Sequence, residues 1–347
     1  MKTPKPHPSL DTVAQHAGVS KMTASRALRN TGRVNSDTRK RVLAAAEALG
    51  YRPNPLVQTL MAGVRSQRIE QSANIAWVTT FPEGVTSPPP VQAMEEAARE
   101  RCREQGYELD RIHINTPGLT LQSIPRIFAA RGIRAAIIGP MQYPGEIPNF
   151  PFDEFAVATI GRSLNRPALH YTMAHHFHAM IRTLAELAGR GYQRIGFLQS
   201  SEMDTRAEHS TLMAFEHHCL KNRVNPLTAC QFYDEWKASD YQVWFKMFQP
   251  DVIIVDNSLI SGQLADAGIA VGNKVGIATL SWKESSSDCA GIRQPFAALG
   301  AGAVDMVVAQ LHRNERGIPA RPKAMLFEGD WIDGDSLRPR DRRQAEV

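Results

Sequence analysis

The stretch Gly18-Val19-Ser20-Lys21-Met22-Thr23-Ala24-Ser25-Arg26-Ala27-Leu28 most restricts what this chain can fold into. Ahead of it, Leu10, Val13, Ala14 and Ala17 recur at helical spacing, which predicts a short helix with one apolar face. Gly18 suits a left-handed turn position, and the Ser20 hydroxyl suits the N-cap of a second helix. Val19, Ala24, Ala27 and Leu28 can then face the first helix, so two helices joined by a tight turn bury a small core. Lys21, Met22, Ser25, Arg26 and Arg29 remain outside. A second helix that presents such residues at its N-terminal end is suited to a DNA major groove.

The next pattern, Asp37 to Leu49, has Val42, Leu43, Ala46 and Leu49 at helical spacing, with Asn35 or Ser36 as cap and Gly50 as stop. This third helix closes the mini-core. Its Arg39, Lys40 and Arg41 either touch phosphates or form a solvated basic face. Charge supports a polyanionic partner for this end of the chain. The net charge of +5 conceals an asymmetry, because residues 1–70 hold 12 Lys/Arg against 4 Asp/Glu. That is +8, and the remainder is slightly acidic. Beyond Tyr51-Arg52-Pro53, Asn54 is a preferred cap and Pro55 a preferred first helical residue, so Pro55 to Ala62 reads as a helix of about two turns. A helix so short is marginal alone in water. Leu56, Val57, Leu60 and Met61 have no core of their own, and wait either for a partner helix and a DNA groove or for the following domain.

Together these residues resemble the lactose-repressor (LacI/GalR) family of bacterial transcription regulators. The resemblance rests on Leu10 to Ser20, Thr23 to Asn30, Val34, Thr38-Arg39, Val42, Ala45-Ala46, Leu49-Gly50-Tyr51 and Pro53-Asn54, and runs without a gap. It implies that Lys21, Met22 and Arg26 read bases, that Leu60 wedges into the minor groove at the centre of a palindromic operator, and that Thr59 is a further specificity position. Val57 stands where the family usually has Ala. The DNA-contacting set is accordingly Ser20, Lys21, Met22, Ser25, Arg26, Arg29, Asn54, Thr59 and Leu60. Arg26 suits a guanine edge, Met22 a thymine methyl, and Lys21 a base or a phosphate.

From Asn74 onward, apolar strands alternate with helices. The pattern includes strands at Asn74–Thr79, Ala135–Gly139, Phe155–Ile160, Arg194–Leu198 and Asp251–Val255, and helices at Val91–Gln105, Met173–Ala188, Arg206–Lys221 and Phe296–Asn314. Near-continuous apolar strands between helices predict parallel sheets covered on both faces, here as two doubly wound lobes with a ligand crevice between them. The resemblance continues more weakly as a periplasmic-binding-protein-like core, through Gly191 to Gly196 and Ile292 to Pro295. The fold class is therefore α/β: an N-terminal all-α helix-turn-helix DNA-binding domain, then a two-lobed core. The domain limits are 1–52 with a basic N-terminal arm, a hinge helix and linker at 53–72, the core at 73–338 and a basic tail at 339–347. Within the core, one lobe takes about 73–165 and 290–318, the other about 166–289 and 319–338, with Val91–Gln105 as a dimer face.

The family's effector is usually a sugar or nucleobase held by a stacked aromatic and charged groups. Trp236 matches the aromatic, but the charged positions fall on Asn257-Ser258, Ser281-Trp282, His209 and His175. The expected lining is Phe81, Arg206, Trp236, Asn257 and Trp282, with each tryptophan alternatively a core residue. Asp204 and Glu202 lie on the loop entering a helix. No metal and no cofactor is expected. Cys102, Cys219, Cys230 and Cys289 are scattered as in a reduced cytosolic protein, and the histidines lack a ligand pattern. Neither a nucleophile elbow nor a dinucleotide fingerprint occurs, so an enzyme has little support. With no export signal and no run of roughly 18 apolar residues, the expectation is a cytoplasmic protein without a membrane span. The function expected is a ligand-responsive repressor that binds a palindromic operator as a homodimer. The alternative is a small-molecule binding protein with a vestigial DNA-binding domain.

Overall fold

The computed structural model describes residues 9–29, 34–51, 74–257, 260–271, 275–284 and 288–337. The chain divides into two compact units, Met1–Gln71 and Ser72–Val347.

In the first unit, helices α1 (Leu10–His16), α2 (Lys21–Arg29) and α3 (Ser36–Ala48) each begin on a side-chain cap. Ser9 Oγ accepts from the Thr12 amide at 3.2 Å, Ser20 Oγ from the Thr23 amide at 3.2 Å, and Asn35 Oδ1 from the Asp37 amide at 3.0 Å. Each cap satisfies an amide that has no carbonyl partner within its helix. Gly18 turns the chain at φ +64°, where a Cβ would be strained. Val13, Ala14, Ala17, Ala24, Ala27, Val42, Ala45 and Ala46 form the core of this unit. Leu43 departs from the sequence expectation, at 45% exposed. The face of α3 that packs inward runs through positions 42, 45, 46 and 49, and Leu43 lies off it. Asn54, Thr59 and Leu60, with the expected hinge helix, lie outside the described residues.

The second unit holds two six-stranded sheets. The first contains β1 (Asn74–Thr79), β2 (Glu108–His113), β3 (Ile133–Ile138), β4 (Ala156–Ile160), β5 (His170–Ala174) and β11 (Ala324–Phe327), in the order β11-β5-β4-β3-β1-β2, all parallel. The second contains β6 (Ile195–Gln199), β7 (Cys230–Phe232), β8 (Val252–Val255), β9 (Gly276–Thr279), β10 (Ala290–Arg293) and β12 (Asp330–Ile332). Its order is β12-β10-β9-β8-β6-β7, parallel except for β12. In the first sheet β1 lies between β2 and β3, and in the second β6 lies between β7 and β8. The strand order therefore reverses at β1 and β6, and doubly wound sheets bind ligands beyond the strand C-termini at such points. Helices α4 (Pro89–Glu104) and α12 (Phe296–Arg313) pack together on the first sheet, where Val91, Met94 and Ala98 meet Leu299, Ala303 and Val307. Removing each of the larger ones, Val91, Met94, Leu299 and Val307, from water contributes about 1.5–3 kcal/mol.

Sheet membership differs from the expected lobe limits in three places. Residues 170–174, assigned beyond the first lobe, form β5 and pair with β4 and β11. Residues 290–293, assigned to the first lobe, form β10 of the second sheet. Residues 319–338 contribute one strand to each sheet. The chain therefore crosses between lobes at residues 174–176, 293–296 and 327–330. Met173 accordingly belongs to a strand, with α6 (His176–Gly189) starting behind it. The helix expected from Arg206 is two, α7 (Ser201–Arg206) and α8 (Ser210–Lys221), broken by Glu208 and His209 at φ +51° and +59°. Short strands with few apolar residues are fixed by their sheet partners, and periodicity does not register them.

Gly300 is the point of closest approach between α4 and α12, since a Cβ there would lie 1.9 Å from the Met94 carbonyl oxygen. Gly300→Ala should force the helices apart and destabilise the core by about 1–3 kcal/mol. Gly189→Ala, where a Cβ meets nothing within 4 Å, should be neutral or stabilising. Urea midpoints of the two variants check this contrast.

Candidate DNA-reading face and interlobe crevice

On α2 the two faces separate cleanly. Ala24 and Ala27 are buried against α1 and α3, whereas Lys21, Met22 and Arg26 stand in solvent, with Met22 at 63% exposed. Met22 thus stands exposed between two cations on the face of α2 that does not pack inward. Ser25 is half-buried, and Ser20 is engaged as the helix cap, its Oγ 2.9 Å from Thr23 Oγ1. Arg29 closes the helix, but its side chain lies outside the described residues. Lys21 Nζ makes an ion pair with Asp11 Oδ2 at 2.7 Å, a partner that helical periodicity did not single out.

In the second unit, the loops beyond the strand C-termini form two opposed walls. On the first lobe, the loop after β3 is pinned by its neighbours. The Met141 amide donates to Ser163 Oγ at 2.9 Å, and the Gln142 amide donates to Thr80 Oγ1 at 3.0 Å. Phe81 is only 7% exposed and packs into the lobe core, so it backs this wall with its ring turned to the interior cluster. On the second lobe, Asp256 ends β8 and gathers three donors. The Ser200 amide lies at 2.7 Å, Ser200 Oγ at 2.9 Å and Tyr233 Oη at 2.7 Å. Burial pushes the Asp256 carboxyl up, against the pull of those bonds. Burial, and then the bond to Asp256, push the Tyr233 hydroxyl up. Beside them, Asp234 accepts from the Ser201 amide at 3.0 Å and from Ser201 Oγ at 2.8 Å.

The expected effector residues distribute along this second wall. Trp236 is half-buried and edge-on to Tyr241, with ring centroids 4.8 Å apart, so one part of the indole serves the core. Asn257 follows Asp256 and is half-buried. Trp282 follows β9, anchored by its amide to the Ile292 carbonyl at 2.8 Å. Its indole Nε1 is hidden from solvent without a hydrogen-bond partner. Asp204 and Glu202 belong to α7, where a loop was expected. Asp204 is buried, with one carboxylate oxygen 2.6 Å from His209 Nδ1 and the other unpartnered.

Two arginines join the walls. Arg206, aligned by Glu202 at 2.9 Å, donates across to the Gln142 carbonyl at 3.2 Å and the Met141 carbonyl at 3.4 Å. Arg162, beyond β4, pairs with Glu208 at 2.8 Å and lies 4.9 Å from the centre of the Tyr171 ring. Arg206 was among the residues expected here, but Arg162, Glu208, Ser200, Tyr233 and Asp256 were not. The available signal was their position, each one or two residues beyond an apolar strand end or at a break between helices. Among the described residues, no group of three or more His, Cys, Asp or Glu converges to hold a metal ion, and no helix is long and apolar enough to cross a membrane. The four cysteines are buried, and desolvation pushes the Cys102 thiol up to about 12 and the Cys219 thiol up to about 11.

Comparison with known proteins bears on both units. Residues 9–54 match the model of the bacterial regulatory proteins, lacI family. The HTH-type transcriptional regulator AscG of Escherichia coli (strain K12) is 29% identical over 210 residues, 59% of this chain and 58% of its own length. The matched part thus spans little more than half of that relative. The lactose operon repressor of the same organism is 23% identical over 95% of this chain and 88% of its own. A solved structure of the lac repressor dimer bound to operator and the anti-inducer ONPF shares the fold. Its TM-score is 0.57 at 18% identity, over 96% of this chain and all of that one. The chain thus resembles the lacI family of bacterial regulatory proteins in two ways, with residues 9–54 matching the family model and the chain sharing the fold of the lac repressor.

Proposed function

We propose that the protein is a ligand-responsive transcription regulator that acts as a repressor, binding a palindromic operator as a homodimer. The observation that carries this reading is the face of α2, where Lys21, Met22 and Arg26 project to solvent while Ala24 and Ala27 hold the helix to its scaffold. A methionine and two cations on a pre-formed helix supply an apolar contact and bidentate or point-charge donors, the chemistry that distinguishes base pairs in the major groove. The lac repressor relative is described as a dimer on its operator with a small molecule bound, which supports the same assembly here. Asn54, Thr59 and Leu60 are proposed as the hinge contacts, with Leu60 as the apolar wedge that bends the duplex.

The effector is proposed to enter between the lobes, against Trp236, Asn257, Trp282 and Arg206. Indole faces stack on sugars and planar rings, and the hidden, unpartnered Trp282 Nε1 becomes a donor for a ligand oxygen where ligand entry uncovers it. Binding there would change how the lobes close and, through the hinge, whether the marginal hinge helices pair.

Arg26→Ala should lose about 1–3 kcal/mol of discrimination at one base pair of a selected operator. Wild-type affinity should fall steeply with salt. A flat salt dependence, or equal affinity for every duplex, favours instead a ligand-binding protein with a vestigial DNA domain. In a thermal-shift series over sugars and nucleobases, a true effector raises the midpoint. Trp282→Phe, which keeps a ring but lacks the N–H, should weaken that rise, and an unchanged rise removes Trp282 from the site.

A further inference from the structure

The ion pair between Lys21 and Asp11 bears on how the head chooses its DNA. Lys21 is the first residue of α2, at the positive end of the helix, and the first turn holds no acidic residue to offset it. A lysine in that position works against the helix dipole. Asp11 lies on the neighbouring helix, in the first turn of α1, where its charge suits that helix's own positive end. Its carboxylate reaches Lys21 Nζ at 2.7 Å, with both side chains more than half exposed. A carboxylate beside a reading residue is repelled by phosphates. It also occupies the cation on the first turn of α2, which would otherwise be available to a phosphate within reach.

We propose that Asp11 is a specificity-determining residue of the reading face. It positions the Lys21 ammonium across the angle between α1 and α2 and withholds it from non-specific phosphate contact. Lys21 leaves the carboxylate only for a base edge that offers a better acceptor, such as the guanine O6/N7 pair. Duplexes without that edge meet a head with one free cation fewer, because the Lys21 charge stays neutralised by Asp11. The inference rests on the proposed DNA-reading role of α2.

The test uses the full-length protein, a duplex of random sequence, and the palindrome that the wild type selects from a randomised library. Asp11→Asn should bind the random duplex about two- to fivefold tighter, the size of one exposed ion pair released. Its log–log salt slope should steepen by about one counterion. Preference for the selected palindrome should shrink by a similar factor. In a Lys21→Met background the same Asp11→Asn change should leave preference and slope unmoved, because the group it controls is gone. Thermal midpoints of the variants identify any loss of folding. The proposal is overturned if Asp11→Asn alters neither random-duplex affinity nor slope, or acts equally with and without Lys21. If the wild type selects no sequence at all, the DNA-reading role itself falls, which is a different result from a selective wild type with an indifferent variant.

Discussion

Three crossings of the chain between two parallel sheets set the mechanical character of the core. At two of them the crossings are tied to each other, since the His175 amide donates to the Phe327 carbonyl at 2.7 Å. Everything that moves the lobes must pass through residues 174–176, 293–296 and 327–330. The paired helices α4 and α12 lock the first lobe into one body at Gly300. The loops beyond the strand C-termini meet on the side of the core where the two lobes face each other.

Those loops hold more fixed charge and hydrogen bonding than an open mouth requires. Arg206 and Arg162 each span from one wall to the other, and Glu208 and His209 take left-handed conformations that L side chains rarely adopt. Consecutive left-handed residues are maintained where surrounding contacts over-determine them, and such strain collects at functional sites. The partners of Glu208 and His209, Arg162 and Asp204, supply those contacts. These internal pairs already join the two walls. The head faces a parallel problem in miniature, with Lys21 held by Asp11 until DNA offers something better.

The head was legible in the sequence because every determinant there is local. Gly18, Ser20 and Asn35 act on the residues beside them, and the small apolar side chains of three short helices reveal the buried face directly. Leu43 misled because an apolar residue in a helix need not face inward. In the core, the long apolar strands and amphipathic helices were equally legible. Strands β5, β10 and β12 were not, because His170 to Ala174, Ala290 to Arg293 and Asp330 to Ile332 derive their order from neighbours distant in sequence. At the interlobe walls, Trp236, Trp282 and Arg206 stood out by residue type, whereas Ser200, Tyr233 and Asp256 come together only because β6, β7 and β8 end side by side.

By itself the sequence determined the three-helix head and the α/β character of the core, since caps, turns and apolar periodicity act over a few residues and tolerate little ambiguity. Only the tertiary structure decided where the lobes divide, which acid meets which arginine, and that Lys21 is already paired. Partners in a parallel sheet and ion pairs between elements depend on how the elements pack, and no local pattern records which of several acids the chain will bring within 3 Å of a given cation.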